Sequence, residues 1–168
     1  CWLWSHSLWP PFRPKSVAWG STRLLRRKAH CTVAREVAPE SRDLGVMLPY
    51  TPLHHLLLGE LGFPVVATSG NLSDEPICID NDEALKRLEG IADYFLLHNR
   101  EILVRCDDSI TVEAAGKPRL MRRSRGYAPK PVYLGENYPE VLAVGAHLKS
   151  TVCILKGRAA FFSPHIGD

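Results

Sequence analysis

The sequence has 168 residues, of which 45% are hydrophobic and 23% are charged. This ordinary globular composition excludes a disordered or fibrous protein, and the formal net charge of +3 is too small to indicate a nucleic-acid partner by itself. No apolar run approaches the roughly 18 residues that a membrane-spanning helix needs, so no membrane partner is expected.

The N-terminal segment differs from the rest of the chain. Residues 1–35 contain all four tryptophans and seven Lys or Arg, but no Asp or Glu. They show no sustained period of 2 or 3.6 residues. A basic, aromatic arm that binds nucleic acid or a membrane surface is one interpretation. The absence of a helical face favours the other, in which residues 1–36 are an atypical and poorly ordered leader.

Four elements are predicted in the middle of the chain. A Pro-bracketed loop at residues 47–52 precedes a helix at Leu53–Leu61. A short buried strand follows at Val65–Thr68. Residues 80–82 (D-N-D) supply N-cap chemistry for a second helix, and another strand is predicted at Tyr94–Leu97.

A hairpin and a linker follow. Ile110–Val112 and Arg119–Arg122 are predicted to pair around a turn at residues 115–118, which would complete a partial domain over residues 37–125. Residues 126–139 contain three prolines and two glycines, which is typical of a linker.

Three short strands are predicted near the C-terminus. They are Val141–Gly145, Thr151–Leu155 and Ala159–Ser163, with a hairpin turn at residues 156–158 (K-G-R). Three strands cannot bury a core of their own. Residues 140–168 are therefore predicted to be the start of a longer domain.

The stretch at residues 65–76 carries the strongest local signal for chemistry. Its apolar strand brings Ser69 and Asn71 to a carboxyl end, where ligands bind in α/β sheets. A hydroxyl and an amide can both donate to phosphate oxygens, and Gly70 allows close backbone approach. The same residues also form ordinary turns, which spacing alone slightly favours.

A basic string at residues 121–129 gives a second candidate. Its three arginines, Arg122, Arg123 and Arg125, could bind phosphate or carboxylate in a bidentate manner. The alternative is a solvated strand end. If the string is extended, Arg123 and Arg125 share one face and Arg122 lies on the other.

No metal site or catalytic residue can be assigned. The adjacent His54 and His55 would point to different faces of a helix, and Asp107-Asp108 could help to hold magnesium but more often forms a turn. The five cysteines are dispersed without a C-x-x-C pair, which predicts reduced thiols and a cytoplasmic location. No Ser or Cys has a His and an acid near it in sequence, as a hydrolytic triad would need.

Seven strings, in the same order, resemble the HypF carbamoyltransferase family. They are L-G-V-M-L-P-Y-T-P-L-H-H-L-L (44–57), T-S-G-N-L-S-D-E-P-I (68–77), L-H-N-R-E-I (97–102), R-C-D-D-S-I (105–110), R-R-S-R-G-Y-A-P (122–129), V-G-A-H-L-K-S-T (144–151) and F-F-S-P-H-I-G-D (161–168). The resemblance implies an α/β fold: a partial YrdC-like twisted mixed sheet with flanking helices, followed by the first strands of a ribonuclease-H-like (ASKHA-type) domain.

The resemblance also implies an activity. The family forms carbamoyl-adenylate from carbamoyl phosphate and ATP with Mg²⁺. It then passes the carbamoyl group to the C-terminal cysteine of the partner HypE, for the cyanide ligands of nickel–iron hydrogenase. Ser69 and Asn71 match the S-x-N motif that contacts nucleotide in YrdC-like domains. The three arginines match the family's basic string, which implies a place near nucleotide or substrate.

Two departures from the family's pattern limit these expectations. The basic motif near the N-terminus of YrdC-like domains is not recognisable in residues 1–35, and the sequence ends before the histidine metal ligands of the family's transferase domain. The resemblance also implies that the family's zinc sites lie outside this chain. The chain alone is therefore expected to have little or no activity. Two alternatives stay open: a YrdC-like threonylcarbamoyl-adenylate synthase of tRNA modification, and a YrdC-like module that binds double-stranded RNA.

Overall fold

The computed structural model describes residues 2–4, 20–146 and 150–164. The chain divides into two compact units, one formed by Cys1–Thr68 with Asp108–Ala128 and the other by Ser69–Asp107 with Pro129–Asp168. No helix in the described part of the chain is long and apolar enough to cross a bilayer.

The first unit is built on a mixed sheet. Its strands are β1 (Trp2–Trp4), β2 (Ser21–Arg26), β3 (Asp43–Met47), β4 (Val65–Ala67), β5 (Ser109–Ala114) and β6 (Lys117–Arg122). They lie in the order β4-β1-β3-β2-β5-β6. Strand β2 is antiparallel to β3 and parallel to β5, so it joins the two halves of the sheet. The predicted mixed sheet is confirmed.

The position of β2 differs from the expectation of a poorly ordered leader. Ser21 and Thr22 are buried at the start of this strand, and Thr22 lies opposite Ile110 of β5. The sequence T-R-L-L-R has no strict alternation, so the pairing depends on strands far away in sequence rather than on a local pattern. Residues 5–19 of the predicted leader lie outside the described residues.

The first helix, α1 (Pro52–Leu61), confirms the prediction for this region. The Thr51 hydroxyl accepts the His54 N–H at 3.2 Å, which caps the helix start. Gly62 ends it in the left-handed conformation, with φ of 69°. Leu58 faces the core and is 1% exposed. The predicted strand at Val65 is also confirmed as β4.

The second unit contains α2 (Asn81–Arg87), which confirms the second helix. The Asp80 carboxylate accepts the Glu83 N–H at 2.9 Å as an N-cap. The prediction of a strand at Tyr94–Leu97 is wrong, because this segment has no strand structure and Tyr94 and Leu96 are largely exposed. A short apolar run forms a strand only where a neighbouring strand offers hydrogen bonds.

The predicted hairpin of β5 and β6 is confirmed. Ala115 and Gly116 connect the two strands with φ of 53° and 68°. Positive φ at both central residues is the geometry that matches the twist of paired strands. Glycine adopts it at little cost, which explains why the sequence signal at this turn is reliable.

A separate two-stranded sheet is formed by β7 (Val132–Ala143) and β8 (Cys153–Phe162). The residues from 132 to 139 therefore belong to a strand, although their composition predicted a linker. The predicted turn at residues 156–158 is also wrong, since Gly157 lies inside β8 opposite Tyr138. The register shifts on both sides of Tyr138, and Gly157 accommodates the irregularity with φ of 61°.

A pair of leucines on α1 tests the packing of the first unit. Leu58→Ala is expected to lower the free energy of unfolding by about 2–5 kcal/mol, because it leaves a cavity in the core. Leu56→Ala, on the same helix at 69% exposure, should change it by less than about 0.5 kcal/mol. Urea unfolding followed by circular dichroism measures both. Equal losses in the two variants would contradict the assigned core face.

Candidate functional site

One edge of the first unit's sheet gathers polar residues from several strands. Strands β2 and β5 are parallel and begin together, with Ser21 opposite Ser109. Strands β3 and β6 run the other way and end at the same edge. The segment after β3 contributes Tyr50 and the segment after β6 contributes Arg123 and Arg125.

Ser109 fixes the backbone of the arginine string. Its hydroxyl accepts the Ser124 N–H at 2.8 Å and donates to the Arg125 carbonyl at 2.9 Å. Both serines are fully buried. A buried hydroxyl with a donor and an acceptor satisfied holds its partners in one geometry. The exit of β6 is thereby attached to the start of β5.

The Arg125 side chain is held by three neighbours. Its guanidinium donates to the Tyr50 hydroxyl, and its Nε lies 3.5 Å from the Asp108 carboxylate. A Cβ atom at Gly20, where φ is +78°, would meet the Arg125 Cδ at 3.4 Å. The side chain remains 42% exposed. It is thus a cation with a restricted orientation that a ligand can still reach.

Arg122 and Arg123 have different surroundings. Arg122 lies within β6 opposite Ile110. The Arg123 guanidinium donates to the Tyr127 carbonyl at 3.1 Å, and it lies 5.7 Å from the centre of the Tyr127 ring. The chain turns after β6, with the Ala128 N–H bonded to the Ser124 carbonyl at 2.8 Å. The string is therefore not extended, and the alternation expected for its arginines does not apply.

His54 packs against this arginine site from α1. Its ring meets the Tyr50 ring edge-on, with centroids 4.7 Å apart and planes at 84°. Burial lowers the pKa of His54, and the charges of Arg125 and His55 lower it further. The neutral imidazole is favoured at this position.

The loop after β4 belongs to the second unit and is shaped by Asn71. The Asn71 Nδ2 donates to the carbonyls of Leu72 at 2.7 Å and Glu75 at 2.9 Å. The Cys78 N–H closes the loop by donating to the Gly70 carbonyl at 2.9 Å. The Asn71 amide hydrogens therefore stabilise the loop itself. The prediction that they would donate to phosphate stays a prediction.

Ser69, the predicted ligand-binding hydroxyl, follows β4 in the chain, and its role in binding stays a prediction. It is exposed at the start of the loop, and its carbonyl accepts the Asn71 N–H at 3.1 Å. Ser69 and Asn71 lie in the second unit, and Arg122, Arg123 and Arg125 lie in the first.

Sequence reasoning missed Tyr50 and Ser109. Tyr50 is 75 residues from its partner Arg125, so no local spacing could show the pair. The Asp108 carboxylate, which the sequence offers as an alternative magnesium ligand, lies 3.5 Å from the Arg125 Nε. Across the residues that the structure describes, no group of three or more His, Cys, Asp or Glu could hold a metal ion.

Two family sequence profiles match the chain. The Sua5/YciO/YrdC profile, described as telomere recombination, matches residues 14–124, and that of the HypF Kae1-like domain matches residues 136–168. The first match covers more than half of the chain. The chain therefore belongs to the Sua5/YciO/YrdC family, and it joins this region to a HypF Kae1-like segment.

Proteins with the name HypF are similar to this chain. A carbamoyltransferase HypF from Synechocystis sp. is 51% identical over 146 residues, which are 86% of this chain and 19% of that protein. A crystal structure of full-length HypF in the phosphate- and nucleotide-bound form is 52% identical, with a TM-score of 0.78 over 88% of this chain and 24% of that one. A crystal structure of HypF from T. kodakarensis is 38% identical to this chain. Its TM-score is 0.79, and the match covers 89% of this chain and 20% of that one.

These similarities confirm the resemblance to HypF carbamoyltransferases. The chain spans about a fifth of the length of the curated relatives that it matches. The activity, substrates and partners of such a protein are therefore proposals for this chain.

The lowered pKa of His54 predicts a pH dependence of stability. When the pH is above the ordinary pKa of 6.5, His54 is neutral in the folded and unfolded states, so its protonation does not change the free energy of unfolding. As the pH falls below that value, the unfolded chain takes up the proton more readily, so stability is lost. His54→Gln should therefore lose less stability than the natural chain between about pH 7.5 and about pH 5.5.

Urea midpoints at the two pH values measure this effect. His98→Gln is the control, because it removes a histidine from an exposed position. An identical pH dependence of stability in His54→Gln and the natural chain would contradict the lowered pKa of His54.

Proposed function

We propose that this chain supplies a nucleotide-binding part of an ATP-dependent carbamoyltransferase. The observation that supports this most strongly is the match of residues 136–168 to the HypF Kae1-like domain, next to the Sua5/YciO/YrdC match. A solved HypF structure at 52% identity holds phosphate and nucleotide. The threonylcarbamoyl-adenylate synthase alternative fits the first match but leaves the second unexplained.

The proposed reaction joins a carbamoyl group, taken from carbamoyl phosphate, to the α-phosphate of ATP. Water first converts carbamoyl phosphate into carbamate and inorganic phosphate. A carbamate oxygen then bonds to the α-phosphorus of ATP, and the bond from that phosphorus to pyrophosphate breaks, so pyrophosphate leaves with the electron pair. Negative charge gathers on the phosphate oxygens in the transition state. Preorganised donors and cations at these oxygens lower the barrier. The cysteine thiolate of a HypE-like acceptor protein would then attack the carbamoyl carbon, and AMP would leave as the bond to its phosphate oxygen breaks.

Ser69 is the proposed phosphate donor of the second unit. Ser69 is an exposed residue, and the loop that follows it is held by the Asn71 amide. Asn71 thus acts through Ser69, by fixing the backbone that carries the hydroxyl. A fixed donor loses less conformational entropy on binding than a mobile one.

Arg125 is the proposed cation of the first unit. Tyr50 and Asp108 restrict the orientation of its guanidinium, so little reorganisation is needed when an anion approaches. Asp108 also offsets part of the positive charge, so it contributes to the orientation of the guanidinium and not to the attraction of the anion. Arg123 and Arg122 would add to the positive potential rather than form the main contact, because Arg123 is turned toward Tyr127.

The Ser69 hydroxyl provides the direct test of nucleotide binding. Ser69→Ala should raise the dissociation constant for ATP by about tenfold or more, the effect of one lost hydrogen bond to a charged group. Titration of the ¹⁵N-labelled chain by NMR measures this even where binding is weak. Ser73→Ala is the matched control, because it removes an exposed hydroxyl from the same loop.

Two outcomes would contradict the proposal. One is an unchanged ATP affinity in Ser69→Ala, and the other is an equal loss in both serine variants. ATP turnover with carbamoyl phosphate in this 168-residue chain would contradict the expectation of little or no activity, but it would leave the binding proposal in place.

A further inference from the structure

Arg87, at the end of α2, connects the helix to the loop that follows β4. Its guanidinium donates to the Glu75 carboxylate, to the Pro76 carbonyl at 3.1 Å and to the Glu83 carboxylate. Its side chain is 21% exposed. Two of these three acceptors belong to the loop, and the third lies one turn away on the same helix.

Arg87 and Asn71 share one residue of the loop, Glu75. The Glu75 carbonyl accepts the Asn71 Nδ2 at 2.9 Å, while the Glu75 side chain and the Pro76 carbonyl are bonded to Arg87. Arg87 therefore holds the segment Glu75–Pro76, and Asn71 contacts the same segment through the Glu75 carbonyl. A shift of Glu75 would remove a partner from the Asn71 amide.

The loop needs such external support because one of its residues is strained. Asp74 has φ of 62°, in the left-handed region. A residue other than glycine adopts this conformation at a cost, and it persists only when its surroundings hold it there. The hydrogen bonds on both sides of Asp74, from Asn71 and from Arg87, provide that support.

The shape of the guanidinium suits this task. Two separate nitrogens of Arg87 reach acceptors on the helix and on the loop at the same time. Hydrogen bonds between charged groups are stronger than those between neutral groups. A lysine would bring the charge but not the planar set of donors.

We propose that Arg87 is a positioning residue that holds the loop at residues 69–78 in the shape required for nucleotide binding. This proposal rests on the proposed function, because it assigns the affinity for ATP to the geometry of the Ser69 loop. Arg87 itself touches neither the nucleotide nor the reacting atoms.

Two ion pairs of Arg87 allow a matched test in the full chain. Glu75→Gln weakens the pair with the loop, and Glu83→Gln weakens the pair within the helix, which is an i,i+4 pair. Arg87→Met removes both, and Lys86→Met removes an exposed positive charge from the neighbouring position. Arg87→Lys keeps the charge and should give an intermediate result.

Two measurements separate loop geometry from ligand binding. Hydrogen exchange of the Cys78 and Glu75 amides, which are bonded to the Gly70 and Leu72 carbonyls, reports the order of the loop without any ligand. NMR titration with ATP reports affinity. Arg87→Met and Glu75→Gln should both speed exchange and raise the dissociation constant by about fivefold. Glu83→Gln and Lys86→Met should leave both quantities near those of the natural chain.

The outcomes distinguish this proposal from the proposed function. Unchanged exchange in Arg87→Met, or equal effects of Glu75→Gln and Glu83→Gln, would overturn the role of Arg87. Faster exchange with unchanged ATP affinity would also overturn it. If the natural chain did not bind ATP but the exchange pattern was as expected, the hold of Arg87 on the loop would be supported and the nucleotide role of the loop would fall.

Discussion

The candidate site depends first on the side-chain amide of Asn71. Its two hydrogens are donated to the Leu72 and Glu75 carbonyls, so a single side chain sets the path of the loop after β4. An asparagine suits this position because its amide offers two donors on a short stem. The exposed Ser69 hydroxyl is presented by a backbone whose shape is already determined. The S-G-N sequence thus combines the proposed ligand-binding group, Ser69, with the residue that supports its loop, Asn71.

In the first unit, the sheet likewise restricts the orientation of a side chain, the Arg125 cation. Ser109 attaches the segment after β6 to the start of β5, and Tyr50 and Asp108 then restrict Arg125. The contacts come from residues that are far apart in sequence and meet only because β2, β3, β5 and β6 share one edge. A charge that is already oriented favours anion binding more than a mobile surface arginine does.

Local signals predicted the elements that depend on local interactions. Thr51 and Gly62 mark the ends of α1, and Ala115-Gly116 marks a hairpin turn, because caps and turns involve residues close in sequence. Strand β2 could not be predicted in this way, since its partners β3 and β5 lie elsewhere in the chain. The motif led to Ser69 and Asn71, but the direction of the Asn71 amide depends on carbonyls whose positions only the folded loop provides.

The most direct test of this account is a crystal structure of the chain with a hydrolysis-resistant carbamoyl-adenylate analogue. We expect a phosphate oxygen within about 3 Å of the Ser69 hydroxyl, which is the distance of a hydrogen bond. We also expect the Asn71 amide to keep its bonds to the Leu72 and Glu75 carbonyls. An analogue bound elsewhere, with the Ser69 hydroxyl in open solvent, would contradict the central claim that this loop receives the phosphate.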